Sequence, residues 1–264
     1  FLAANLLTPT LSFADNNDEH FHRLVDFLSI PNFSGNVNDI DANIVWLDDN
    51  FKQLGFTTKT LKSKGNDHFF AELNVSPKLP TVLFYMHFDG QPVDKAKWSQ
   101  FSPYQPTLKY QQDELVPRAL HWRDVKNKDF STEDIRIYAR SASDDKGPIA
   151  MFLSALYDLK VQGKSPEFNM KVILDSMEEV GSPYLEGLVN QYKDELKSDY
   201  FVVFDGPMHD TGNPTLLYGV RGISTISMEV YGMHKPQHSG HFGNYGPNPV
   251  FRAAEILNSF KDSN

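Results

Sequence analysis

TVLFYMHFDG, residues 81–90, is apolar almost without a break from Val82 to Met86 and then turns polar. A short apolar run between Pro80 and Gly90 reads as a strand covered on both faces, and so as one from the middle of a sheet. It ends in His87 and Asp89. Residues two apart in a strand project to the same side, so an imidazole and a carboxylate leave the strand together.

Working outward, the chain alternates between two periods. Upstream, Phe21, Leu24, Val25 and Leu28 recur at helical spacing over residues 18–30, and Pro31 ends the run. A second helix is expected over residues 37–54, with Ile40, Ile44, Leu47, Phe51 and Leu54 on one face. TTKTLK and HFFAELNV then read as strands. Downstream, DIRIYA is a short strand, followed by a helix over 145–161, the strand NMKVILDSM, a helix over 183–196 and the strand DYFVVFD. Strands alternating with helices predict an α/β fold: a mixed, mostly parallel sheet with helices on both faces. Between these elements, residues 98–134 are polar and carry scattered prolines. They are expected to be a long inserted loop near a site.

After TLLYGVRG the character changes. ISTISMEVYGM alternates like a half-exposed strand, the Gly- and His-rich turn HKPQHSGHFGNYGPNP follows, and a helix is expected over 249–261. This places a domain boundary near Gly219, with a catalytic-type domain over 18–218 and a second domain over 219–264. The second is too short to bury a core, so the chain reads as an N-terminal fragment.

With 25 basic against 34 acidic residues, the formal charge of −9 argues against nucleic acid or an anionic membrane surface as the main partner, since both need basic patches. No segment approaches membrane-spanning length. There is no cysteine, so a metal would have to be held by His and carboxylate. Residues 1–17 open with an apolar run ending in Ser12, Phe13 and Ala14. It reads either as the remnant of a signal peptide, which would make the protein periplasmic or secreted, or as an apolar lead-in to the first helix.

Other strands also end in acidic residues: KVILDSMEEVGS in Glu178 and Glu179, and YFVVFDGP in Asp205. Asp144, in SASDDKGP, sits where RIYA gives way to a helix. Ligands of open α/β sheets bind outside the carboxyl ends of the strands. Singly, each residue has an ordinary explanation. Asp144 and Asp145 would serve a helix cap, Glu178 and Glu179 would favour a helix start, Asp205 would sit in a turn, and His87 would be a hydrogen-bonded structural histidine. Together they crowd like charges at one edge, which repel unless a cation neutralises them. Oxygen and imidazole donors suit zinc, manganese or cobalt.

MHFDGQP, SASDDKGP, MEEVGS, FDGP and HSGHFG, in this order, resemble the motifs of the di-zinc metallopeptidases that include carnosinases, glutamate carboxypeptidases and aminoacylases. YGVRGISTISMEV brings the resemblance closest to the carnosinase-like dipeptidase branch. It implies a zinc-exopeptidase-like catalytic domain, followed by the start of an α+β lid through which two subunits dimerise. Two divalent metal ions are implied, zinc before manganese or cobalt. His87 and Asp205 would hold one, Asp144 would bridge both and Glu179 would hold the other. Asp89 would fix the tautomer of His87, and Glu178 would be the general base. His238 would reach into the partner subunit's active site, and the peptide bond between Asp144 and Asp145 would be cis.

The chain departs from that family where Ala139-Arg140-Ser141 stands for the usual Gly-Arg-Gly, and in the length of the 98–134 segment. The family's last metal-binding His and its carboxylate-binding Arg come from a segment later than Asn264. The function implied is metal-dependent hydrolysis of the amide bond of a dipeptide, or at a peptide C-terminus. An N-acyl amino acid substrate is the enzymatic alternative, and a non-catalytic binding or assembly module the other. A nucleotide-binding Rossmann domain is disfavoured because no Gly-rich turn follows an early strand.

Overall fold

A computed structural model describes residues 13–110, 119–127, 135–206, 209 and 211–261. The chain divides into two compact units, Phe1–Pro207 and Met208–Asn264, so the division falls upstream of the boundary expected near Gly219.

The first unit opens with α1 (Phe13–Ser29) and α2 (Val37–Gln53), followed by the hairpin β1 (Thr57–Leu61) and β2 (His68–Leu73) and then β3 (Thr81–His87). Next come β4 (Thr107–Tyr110), β5 (Ala119–Leu120), the single turn α3 (Trp122–Val125) and β6 (Ile135–Tyr138). The unit closes with α4 (Lys146–Val161), β7 (Asn169–Asp175), α5 (Leu185–Gln191), α6 (Lys193–Leu196) and β8 (Tyr200–Val203). The main sheet has the order β1-β2-β7-β3-β8. β3 runs parallel to β7 and β8, while β2 is antiparallel to β7 and β1. The expected mixed sheet is present, with TVLFYMH inside it.

The period-2 alternation of the strands sorts two cores. Phe69, Ala71, Met86, Met170, Val172 and Leu174 face Phe27, Ile40, Leu47, Phe51, Ile149 and Leu153 of α1, α2 and α4. Phe70, Leu83 and Ile173 point the other way, onto Leu188 and Leu196 of α5 and α6. Helices therefore cover both faces. Register brings His87 opposite Asp175, so the carboxyl ends of β3 and β7 finish level. A buried lysine joins α4 to α1: Lys146 Nζ donates to Phe27 O at 2.8 Å and Ile30 O at 2.7 Å, satisfying carbonyls at the α1 C-terminus.

Four expectations need correction. Residues 98–134 are not simply a loop, because β4 and β5 lie within them and β4 pairs with both β5 and β6 in a separate antiparallel sheet, order β5-β4-β6. This sheet has its own small core of Leu108, Val125 and Ile135, and Trp122 stacks on Phe21 of α1 with ring centroids 4.0 Å apart. DIRIYA accordingly belongs to the small sheet and not the main one. The helix expected over 183–196 breaks at Tyr192, whose hydroxyl accepts from Lys62 N of the β1–β2 turn at 3.1 Å.

In the second unit ISTISMEVYGM forms no strand, and Ile223, Ile226 and Tyr231 are exposed. A strand is stable only when its N–H and C=O groups are paired, and none of the described strands pairs with it. This unit carries α7 (Ser239–Phe242) and α8 (Pro249–Ser259), the latter capped by Asn248, whose side chain accepts from Val250 N at 2.9 Å. The first twelve residues of the apolar N-terminal segment lie outside the described residues, and no described helix is long and apolar enough to cross a membrane.

Candidate active site

His87 is fully buried at the end of β3, and acidic groups surround its ring. Nε2 lies 2.7 Å from Asp144 Oδ1, 3.8 Å from Asp205 Oδ2 and 4.0 Å from Glu178 Oε2. On the other side, Nδ1 is 3.3 Å from Asp89 Oδ1. His87, Asp144 and Asp205 each offer one donor atom, and the three atoms lie within 4.8 Å of one another. The topology explains this meeting. β3 and β8 are parallel neighbours, so Asp205, two residues beyond β8, comes level with His87. Glu178 leaves the end of β7 on the other side.

The electrostatics are those of a site short of positive charge. Burial works against an imidazolium, yet Asp89 and Asp144, with Asp145 behind them, push His87 up to about 10. Burial raises Glu178, with Asp205 and Glu179 adding to it and His87 opposing. Asp205 is raised by burial and by Asp144, again against His87. The surrounding carboxylates thus favour positive charge at His87. A divalent cation among His87, Asp144 and Asp205 would supply such charge, with a set of hard oxygen and imidazole donors. The residues fit such an ion.

Not every expected ligand joins this group. Glu179 Oε2 accepts from Gln91 Nε2 at 2.7 Å and lies outside the cluster of three. Asp89 does more than face His87: Oδ1 accepts from Glu178 N at 3.1 Å and Oδ2 from Glu179 N at 3.3 Å. His238 lies in the second unit as the exposed cap of α7, its Nδ1 accepting from Gly240 N at 3.0 Å.

The peptide bond between Asp144 and Asp145 is cis. Asp145 does not cap α4 through its side chain, as the helix-cap explanation required. Its Oδ2 instead accepts from His87 N at 3.2 Å. Ser141, standing where glycine was expected, takes φ 60, a conformation that favours glycine. Its Oγ accepts from Asn32 Nδ2 at 2.8 Å, and the same amide donates to Phe88 O at 2.8 Å. Asn32 O accepts from Gly90 N at 2.8 Å. Sequence reasoning missed Asn32, Gln91 and this second role of Asp145. An isolated Asn after Pro31 gives no signal, because its partners lie far away in sequence.

A model of peptidase family M20/M25/M40 matches residues 83–255, more than half of the chain. Mouse Beta-Ala-His dipeptidase is 33% identical over 195 residues, 73% of this chain and 35% of that protein. A Cys-Gly metallodipeptidase of Schizosaccharomyces pombe is 27% identical over 264 residues, 94% of this chain and 50% of that protein. The chain thus spans about a third to a half of the length of these curated relatives. Among solved structures, an M20 family metallo-carboxypeptidase from Sulfolobus solfataricus superposes with a TM-score of 0.65 at 27% identity, covering 93% of this chain and 50% of that one. From the ordered motifs, the sheet that gathers them and the matched family model, the chain belongs to peptidase family M20/M25/M40.

Proposed function

We propose that the protein is a metal-dependent exopeptidase that hydrolyses the amide bond of dipeptides, with Glu178 as its general base. The carrying observation is that His87, Asp144 and Asp205 converge while the Glu178 carboxylate stands 4.0 Å from His87 Nε2, close to the cluster but not part of it. A base that is itself a ligand carries protons poorly, and burial keeps Glu178 more basic than an ordinary glutamate. Dipeptides are the substrate class because the relatives described above are named as dipeptidases.

His87, Asp144 and Asp205 would hold one cation. Asp144, two-thirds exposed, would share its carboxylate with a second cation towards Glu179. We assign zinc, with manganese and cobalt compatible with the same donors. Cations held by these residues would supply Lewis acidity to the scissile carbonyl and to a water. Glu178 takes the proton of the attacking water and returns it to the leaving nitrogen. Asp89 orients the His87 ring and, through Glu178 N, the base as well. We extend the proposal to a homodimer in which His238, exposed on its short helix, serves the partner's site.

The test uses the full-length protein. Glu178→Ala should retain metal and lose most dipeptide hydrolysis, whereas Asp144→Ala should lose metal. Normal turnover by the first variant, or full metal occupancy in the second, would sink these assignments. A panel of dipeptides and N-acyl amino acids fixes the substrate class, and preferential turnover of the acyl compounds would overturn it.

A further inference from the structure

We propose that Asp175 is a positioning residue for Glu178, closing the neck of the loop that presents it; this rests on the function proposed above. Asp175 is fully buried at the end of β7, two residues upstream of the MEEVGS motif. Its Oδ1 accepts from Met177 N at 2.8 Å, at the start of the loop. Its Oδ2 accepts from Ser182 Oγ at 2.7 Å, at the end of the loop, and from Tyr85 Oη at 3.1 Å on the neighbouring strand. His68 Nδ1, fully buried on β2, lies 3.2 Å from Oδ1. Ser182 N donates to Met177 O at 2.9 Å and closes the same neck through the backbone.

Asp89 holds the crest of this loop through Glu178 N and Glu179 N. The segment is therefore gripped at two levels by two different carboxylates. Burial alone would raise the Asp175 carboxyl, yet His68, Ser182 and Met177 N hold it below the usual value. Ionised, both of its oxygens accept, which is what a clamp with donors on both sides of the loop requires. Ser182 sits at φ 47 and Gly181 at φ 84, so the chain turns back sharply to reach this carboxylate. A base displaced by about 1 Å can lose up to about a hundredfold in rate without contact with the substrate being altered.

The experiment compares metal-loaded, full-length Asp175→Asn and Ser182→Gly with the parent. Glycine is at ease at positive φ, so Ser182→Gly removes the hydroxyl without straining the turn. The expected result is a kcat lower by about ten- to a hundredfold in Asp175→Asn, and by several-fold in Ser182→Gly, with KM and metal content unchanged. Amide hydrogen exchange over residues 177–182 should accelerate in both. A kcat within about twofold of the parent overturns the proposal, as does a loss of kcat that merely tracks lost metal. If Asp175→Asn fails to fold, Ser182→Gly and Tyr85→Phe carry the same comparison. If the parent hydrolyses no dipeptide, the proposed function falls and exchange alone decides: faster exchange supports the clamp, and unchanged exchange refutes it.

Discussion

The backbone N–H of His87 donates to Asp145 Oδ2 at 3.2 Å, while the preceding carboxylate, Asp144, meets the ring of the same histidine at 2.7 Å. The two adjacent aspartates thus grip one residue from two directions, one by its backbone and one by its ring. The second is buried and pushed up to about 8, chiefly by that burial, with Asp205 and Asp144 adding to it and His87 opposing.

The metal-free protein should lose stability as pH rises. A histidine raised on folding from 6.5 to about 10 contributes stability that is complete below 6.5 and is lost as pH passes through 10. Asp145, raised from 3.8 to about 8, acts in the same direction. Chelated protein should therefore melt at progressively lower temperature across this window. Cation affinity should move the other way, by about tenfold per pH unit near neutrality, because an ion at Nε2 displaces a proton. Competition with a chromophoric chelator measures it, and a pH-independent affinity would remove His87 from the ligand set.

Lys146 supports the helix junction and not the chemistry. Its side-chain nitrogen is fully buried, desolvation drives its pKa well below the ordinary value, and it bonds two carbonyls at the α1 C-terminus. Lys146→Ala should cost about 3–5 kcal/mol, from a cavity plus two orphaned acceptors. Lys146→Met, which refills the space, should cost about 1–3 kcal/mol. Urea unfolding distinguishes the two.

Ser141→Gly should be nearly neutral, within about 1 kcal/mol. It relieves an unfavourable φ while giving up the bond from Asn32. Asn32→Ala loses bonds to both Ser141 and Phe88 and should cost about 2–3 kcal/mol. Gly90→Ala should also destabilise, since its Cβ would stand 2.6 Å from Ser141 Oγ and 2.9 Å from Asn32 Oδ1. Equal unfolding midpoints for Asn32→Ala and the parent would contradict the role of the amide.

Trp122→Ala should loosen the small sheet while leaving cation binding intact. The indole stacks on Phe21, its Nε1 donates to Asp18 Oδ1 at 2.7 Å, and Lys126 reaches the other oxygen at 2.8 Å. Amide exchange in β4 and β6 should rise well above that in β3 and β7. Equal changes in both sheets would show that they unfold together.

The main sheet was legible because its strands are strongly patterned. Met170, Val172 and Leu174 face one core and Ile173 between them faces the other, and TVLFYMH has no competing period. His87 and Asp205 were legible because each ends or follows a strand whose position the pattern already fixes, and Asp144 because it stands just before the patterned helix α4. The small sheet was not, because Leu108, Val125 and Ile135 are too few and too widely spaced to give a period. ISTISMEVYGM shows the opposite failure: alternation records what a strand would bury, and without a partner the pattern forms no ladder. The setting of Glu179 against Gln91 escaped notice because adjacent glutamates look equivalent until the turn that carries them is seen.

Asp89 lies between the histidine ring and the backbone of both glutamates, so a substitution there would disturb two functions at once. Kinetic losses from Asp89→Asn should not add to those of Glu178→Ala, because the second variant has already forfeited most of what the first would damage. In thermodynamic-cycle terms one aspartate links the settings of the His87 ring and the Glu178 backbone, and a double-mutant cycle through it should return a non-zero coupling.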